Sequence, residues 1–285
     1  MPTLLIRYGE LGLKSENVRR RFEQALVQDI RRKHLLSGVP CVTSSQRGRI
    51  FVDSDDWRRS AEMLSRTFGV VSFSPVTKAT SEFQGLADAV TEFSRPLVFK
   101  GARFAVRARR TGSHPYTSQT LARDLGSAIY ESNKDLGLRV DLEEPDAEVF
   151  VEVRGKEAYL YSSVMRGPGG MPKGTQGRLL SLVSSERGVA SSWLLMKRGC
   201  NVAVASEDEL LPSPLASWNP DMKVHRPEED LFEQARRLRC EGVVLEWGLG
   251  DMERGAVLKG DLPVFHPLIG MSQEDVRRLL DRITA

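Results

Sequence analysis

Seven of the thirteen residues from Arg166 to Arg178 are glycine or proline, in the order Arg-Gly-Pro-Gly-Gly-Met-Pro-Lys-Gly-Thr-Gln-Gly-Arg. Proline fixes φ and removes a backbone donor, and glycine weakens any regular element, so this run fits neither a helix nor a strand interior. It divides the 285-residue chain into two patterns. The charge changes at the same point. Residues 1–180 hold 28 Lys and Arg against 21 Asp and Glu, and residues 181–285 hold 13 against 17. A surface for a polyanion is expected in the basic front part.

Ahead of that run, Thr3 to Tyr8 alternates as a strand, and Val18, Phe22, Ala25, Leu26 and Ile30 give helical spacing from Glu16 to Leu36. Strands at Cys41 to Ser45 and Arg49 to Asp53 turn at Arg47-Gly48. A helix through Phe68 and a strand at Val70 to Ser74 follow. The order β-α-β-β-α-β is that of a ferredoxin-like unit.

From Val76 a second unit begins with a helix over Phe83 to Phe93. Arg103 to Arg110 then alternates apolar and cationic residues. With Phe104, Val106 and Ala108 turned to a core, Arg103, Arg107 and Arg109 face away, so the strand has one basic face. A helix from Thr117 to Asn133 carries Leu121, Leu125, Ile129 and Tyr130 on one side. Val149 to Val153 and Ala158 to Val164 pair as a hairpin across Gly155-Lys156.

Beyond Arg178 the pattern is βαβ-like: a strand at Leu179 to Val183, a helix ending at Arg198-Gly199, and a strand at Asn201 to Ala205. Residues 206–227 read as loop. A helix from Glu228 to Arg239, strands at Gly242 to Leu245 and Val264-Phe265, and a helix from Ser272 to Ile283 complete a small α/β domain.

Cys41, Cys200 and Cys240 lie far apart with no C-x-x-C pair, and the four histidines are scattered, so neither a disulfide framework nor a metal site is expected. No signal-peptide run and no apolar stretch of membrane-spanning length stands out, and the cytoplasm is the expected compartment.

Three segments, in this order, resemble the tRNA 4-thiouridine synthetase (tRNA sulfurtransferase) family. The first is Arg7-Tyr8-Gly9-Glu10-Leu11-Gly12-Leu13-Lys14-Ser15-Glu16-Asn17-Val18-Arg19. The second joins Phe104-Ala105-Val106-Arg107-Ala108-Arg109-Arg110 to Gly167-Pro168-Gly169-Gly170-Met171-Pro172-Lys173-Gly174. The third is Trp193-Leu194-Leu195-Met196-Lys197-Arg198-Gly199 with Pro267-Leu268-Ile269-Gly270-Met271. The resemblance implies a mixed α/β and α+β chain. Its parts are an N-terminal ferredoxin-like domain over 1–75, a THUMP domain over 76–166, the linker 167–178 and a PP-loop-like domain over 179–285.

The resemblance also implies that the front half holds the acceptor end of tRNA. The residues point the same way on their own chemistry. Arg107, Arg109 and Arg110, with Arg123, Lys173, Arg178 and Lys14, are candidates for phosphate contacts that position an RNA by shape.

The rear domain departs from the pattern it resembles. Aligned back from Lys197-Arg198-Gly199, the family's Ser-Gly-Gly-x-Asp-Ser loop falls on Val183-Ser184-Ser185-Glu186-Arg187-Gly188, and no position is kept. A pyrophosphate needs glycines that let the backbone approach and amides at a helix start. In the family a cysteine precedes the helix that corresponds to Glu228 to Arg239. Here Cys240 stands at the other end of that helix. No catalytic residue and no cofactor are expected. Weak ATP binding through Ser184, Ser185, Arg187 and Gly188 is the lesser reading, in which Ser184 and Ser185 leave amides free and Arg187 pairs a phosphate.

The leading reading is a tRNA-binding accessory in tRNA modification, without thiolation catalysis. A working ATP-dependent sulfurtransferase that borrows sulfur from a partner is the second reading. A structural module whose rear domain dimerises or docks another enzyme is the third.

Overall fold

The structure, a computed structural model, describes residues 2–9, 15–46, 48–253 and 260–285. Lys14 and Arg47 lie outside the described residues. In chain order β1 (Thr3–Tyr8), α1 (Glu16–Leu36), β2 (Val42–Gln46), β3 (Arg49–Asp53), α2 (Trp57–Ser65) and β4 (Val70–Thr80) follow the ferredoxin-like succession. Next come α3 (Phe83–Ser94), β5 (Arg103–Thr111), α4 (Ser118–Ser132), β6 (Arg139–Val140), β7 (Ala147–Arg154), β8 (Glu157–Tyr161) and β9 (Met165–Arg166). The rear part holds β10 (Arg178–Leu182), α5 (Glu186–Lys197), β11 (Asn201–Ala205), β12 (Val224–His225), α6 (Leu231–Arg237), β13 (Val243–Val244), α7 (Leu249–Glu253), β14 (Val264–Phe265) and α8 (Gln273–Thr284).

By internal packing the chain forms two units, one of residues 1–6, 51–57 and 73–165, the other of residues 7–50, 58–72 and 166–285. In the first, the strand order is β3-β1-β4-β8-β7-β5-β6. β5 runs parallel to β7 and β6, and β7 pairs antiparallel with β8 across the expected hairpin. Phe104 and Val106 of β5 turn into a core with Leu86 and Val90 of α3 and Leu121, Leu125 and Ile129 of α4. Ala105, on the opposite side of the strand, is also fully buried, so the basic face is covered at that position. Thr117 and Thr120 form a reciprocal capping box that starts α4.

In the second unit, five parallel strands stand in the order β12-β11-β10-β13-β14. The sequence runs outward from β10 through β11 and β12, then returns to the other side of β10 with β13. The carboxyl ends of β10 and β13 therefore flank the switch point where open α/β sheets present a crevice. Ser185, with its side chain accepting from the Arg187 amide, caps α5 at that end.

The glycine- and proline-rich run takes a fixed path within this unit. Gly167 and Gly169 donate backbone hydrogen bonds to Val71 and Val70, Gly69 donates back to Gly169, and Met171 donates to Lys197 at the end of α5. Phe68 stacks on Trp218 with centroids 5.3 Å apart and meets Trp193 edge-on at 5.4 Å, while the two tryptophans meet edge-on at 5.2 Å. Burial of three such rings supplies a large share of the core in this unit.

Two expectations change. The helix expected from Glu228 is shorter, because Asp230 accepts from the amides of Phe232 and Glu233 and so caps α6 at its own position. It ends before Arg239, a non-glycine residue at φ 56°. The stretch expected as loop contains a 3-10 turn at Ser213–Ser217 and the strand β12, which pairs with β11.

Candidate functional site

The cations of β5 do not form one free basic face. Arg103 is bound by Asp146 at 2.9 Å, with Asp141 and Glu144 at 3.6 and 3.5 Å. Arg107 pairs with Glu148 at 2.9 Å and donates to the Leu142 carbonyl. Asp141, Glu144 and Asp146 come from the stretch between β6 and β7 and Glu148 from β7 itself, so the strand's first two arginines are neutralised within the domain. Arg109 and Arg110 are exposed, and Arg110 donates to the Gly112 carbonyl at 3.0 Å. Neither has an ion pair to a carboxylate among the described residues.

Arg123, on α4, is 72 % exposed and, among the described residues, paired only with its neighbour Asp124 at 2.9 Å. It shares with Arg107 a groove of about 910 Å³, with Phe104, Val106, Tyr130 and Leu142 along its walls. An apolar groove with the exposed Arg123 at its rim fits a polyanion whose flat groups leave water.

Lys173 departs from expectation. Its side chain is 18 % exposed, its Nζ lies 3.3 Å from Asp29 and 3.7 Å from Asp221, and it donates to the Asn219 side chain at 2.9 Å. It fastens the chain internally and presents no free charge. Arg178 is half-buried at the start of β10 and, with Lys173, lines a small polar cleft. The sequence reading overlooked a stripe on α1. Arg21, Gln24, Gln28 and Arg32 lie along one side of a second cleft that Lys173 and Asp221 close. Their helical spacing on the face of α1 away from Phe22, Leu26 and Ile30 is the sequence signal for it.

In the rear domain, Ser184, Ser185, Arg187 and Gly188 do come together at the start of α5, yet none is left for a ligand in the way expected. The amides of Ser184 and Ser185 donate to Oε2 of Glu246 at 3.3 and 3.1 Å. Arg187 donates through Nε and Nη2 to the Glu246 carbonyl at 3.1 and 3.0 Å, and Nη2 pairs with Asp251 at 3.1 Å. Gly188 has no room for a side chain, since a Cβ would stand 2.7 Å from Val183 Cα and 2.8 Å from Glu246 Oε2. The free amides and phosphate-pairing arginine of the lesser reading are corrected: the Glu246 carboxylate has taken the amides, and the Glu246 carbonyl and the Asp251 carboxylate have taken the guanidinium. Glu246 and Asp251, about sixty residues away in sequence, carry no local signal of this role.

Burial pushes Cys200, Cys240 and Cys41 above the ordinary thiol range, which disfavours the nucleophilic thiolate.

Residues 3–74 match the ThiI ferredoxin-like domain and residues 80–163 match the THUMP domain. A probable tRNA sulfurtransferase of Methanothermobacter thermautotrophicus is 35% identical over 263 residues, which cover 89% of this chain and 64% of that protein. A probable tRNA sulfurtransferase of Methanobrevibacter smithii is 39% identical over 207 residues, 70% of this chain and 52% of that one. The chain thus spans between half and two-thirds of the length of these curated relatives. Among solved structures, PH1313 of Pyrococcus horikoshii is similar over the whole of both chains, with TM-score 0.85 and 26% identity. A 4-thiouridine synthetase in complex with RNA and ATP shares the fold at TM-score 0.76 and 19% identity, over 99% of this chain and 85% of that one.

Proposed function

We propose that this chain, which carries the ThiI ferredoxin-like and THUMP domains and resembles probable tRNA sulfurtransferases, binds tRNA as a non-catalytic accessory of tRNA thiolation. The front part supplies the binding. Arg109, Arg110 and Arg123 are the exposed cations that meet phosphates, and the groove beside Arg123 takes an unstacked part of the RNA. Contacts of this kind read the backbone and the shape of the acceptor region, not base edges.

The accessory part of the reading is carried by one observation: the amides of Ser184 and Ser185 are bonded to Glu246. A loop that adenylylates a uridine needs those donors for the nucleotide's phosphates. With the donors satisfied inside the chain and no cysteine between Cys200 and α6, sulfur and nucleotide chemistry fall to a partner enzyme or sulfur carrier.

The second reading, an active ATP-dependent sulfurtransferase, is favoured by the names of the relatives at 35 and 39% identity. Purified protein incubated with tRNA, ATP and a sulfide source separates the two, with 4-thiouridine read by absorbance or mass. Product sinks the accessory reading. The RNA part is tested independently by tRNA binding across a salt series: affinity that falls steeply with salt supports it, and no measurable binding at low salt refutes it.

A further inference from the structure

The crevice at the carboxyl ends of β10 and β13 already contains an anion, and the anion is a side chain. Two successive amides, from Ser184 and Ser185, converge on the same Glu246 oxygen at 3.3 and 3.1 Å. That is the geometry by which a backbone nest holds a negative group at a helix start. Gly188 leaves the third side open for the carboxylate, because a Cβ there would stand 2.8 Å from that oxygen.

The glutamate is also held from behind. Its carbonyl accepts two hydrogen bonds from Arg187, and Asp251 Oδ2 both pairs with Arg187 at 3.1 Å and accepts the Gly248 amide at 2.8 Å. The guanidinium beside the loop therefore braces the segment that delivers Glu246. It is not turned toward the crevice as a phosphate ligand.

We propose that Glu246 is an internal anion that keeps the crevice closed to nucleotide phosphates. A free phosphate must displace a tethered carboxylate that competes at the effective concentration its backbone fixes. It must also enter beside the negative charges of Glu246, Asp251 and the exposed Glu186, which repel it. The amide cradle consequently contributes to stability without any nucleotide. This deepens the accessory reading at its own site and is independent of RNA binding.

The test is thermal unfolding of the full chain and of Glu246→Ala and Glu246→Gln, each with and without Mg-ATP or inorganic phosphate. For the wild-type chain the expected result is a Tm that neither anion moves. For Glu246→Ala it is a Tm lower by roughly 2–4 °C that phosphate restores in part. Glu246→Gln keeps the side chain's volume and removes its charge, so it reads the same restoration if the alanine variant does not fold. A wild-type Tm raised by ATP overturns the proposal, and so does a variant whose Tm phosphate moves no more than the wild type's. Neither readout involves tRNA or 4-thiouridine, so failure here leaves the RNA reading standing, and failure of RNA binding leaves this one standing.

Discussion

Lys173 Nζ lies 3.3 Å from Asp29 Oδ1, and this ion pair fastens the glycine- and proline-rich run to α1. Asp29 is only 4 % exposed at its side chain, so the lysine is its main electrostatic compensation on that side. Removing one partner of such a pair leaves a buried charge alone, at about 3–5 kcal/mol. Lys173→Ala is expected to lose stability toward the lower end of that range, because Lys33 also stands near Asp29. Urea unfolding checks it, and adding Asp29→Asn should return part of the loss. A variant as stable as the wild type would mean the pair has no structural weight.

Lys33 makes stability depend on alkaline pH. Burial draws its amino group down from 10.5 to about 8, with Lys173 and Arg66 adding to the depression and Asp29 and Asp221 opposing it. Its Nζ donates to the Arg66 carbonyl at 2.6 Å. Between about 8 and 10.5 the unfolded chain holds the proton that the folded chain has released, so this lysine's contribution to stability rises with pH there and is lost as pH falls through 8. Lys33→Met should remove that rise. The quantity to follow is the stability difference between wild type and variant: flat below pH 8, and shifting toward the wild type above it.

Charge reversal at Arg109, Arg110 and Arg123 should weaken tRNA binding, and the slope of log affinity against log salt should fall by about 0.7–0.9 for each phosphate contact removed. Arg107→Glu is expected to act differently. It places two carboxylates together where Arg107 now pairs with Glu148, so its main effect is on stability. Filter binding across a salt series, with unfolding curves for each variant, tells the two outcomes apart; undiminished binding in the triple reversal removes this surface from the account.

Much of this fold was legible because the signals are local. β11 at Asn201–Ala205 and β14 at Val264–Phe265 fall where alternation puts them, and α1 begins and ends at Glu16 and Leu36 as its spacing and Gly38-Val39-Pro40 require. What sequence could not deliver depends on tertiary approach. Arg107 looked free because Glu148 reaches it only once β5 and β7 pair in parallel. Lys173 looked like a linker cation because glycine and proline suggest a loose chain, whereas the positive φ at Gly169, Gly170, Gly174 and Gly177 sets one path. Glu246 closes a loop sixty-two residues away, and no periodicity announces that.

The same run offers a paired glycine test. Gly169 and Gly170 have φ of 65° and 77°, so either alanine is strained by about 1–2 kcal/mol. Only Gly170 is also crowded: a Cβ there would meet the Lys197 carbonyl oxygen at 2.3 Å, while nothing lies within 4 Å at Gly169. Gly170→Ala is expected to be clearly the more destabilising of the two, since backbone on both sides must move. Equal unfolding midpoints would show that the strap does not lie against the end of α5.

Phe68 belongs by sequence to the ferredoxin-like domain yet is buried among Trp193, Trp218 and Leu215 of the rear domain, in the same compact unit. Phe68→Ala removes a ring from a close-packed trio and should cost about 3–5 kcal/mol, with Phe68→Leu well below that. Trp193 and Trp218 are both nearly inaccessible to solvent, at 1 and 4 %, so their emission reports the same event. A red shift in Phe68→Ala under native conditions is the expected signature of water reaching the indoles. Because this residue joins the two sequence domains, a single unfolding transition is expected for the second unit in the wild type, and the alanine variant should broaden or divide it. A variant that keeps both the midpoint and the emission maximum would show that Phe68 does not couple α2 to the rear sheet.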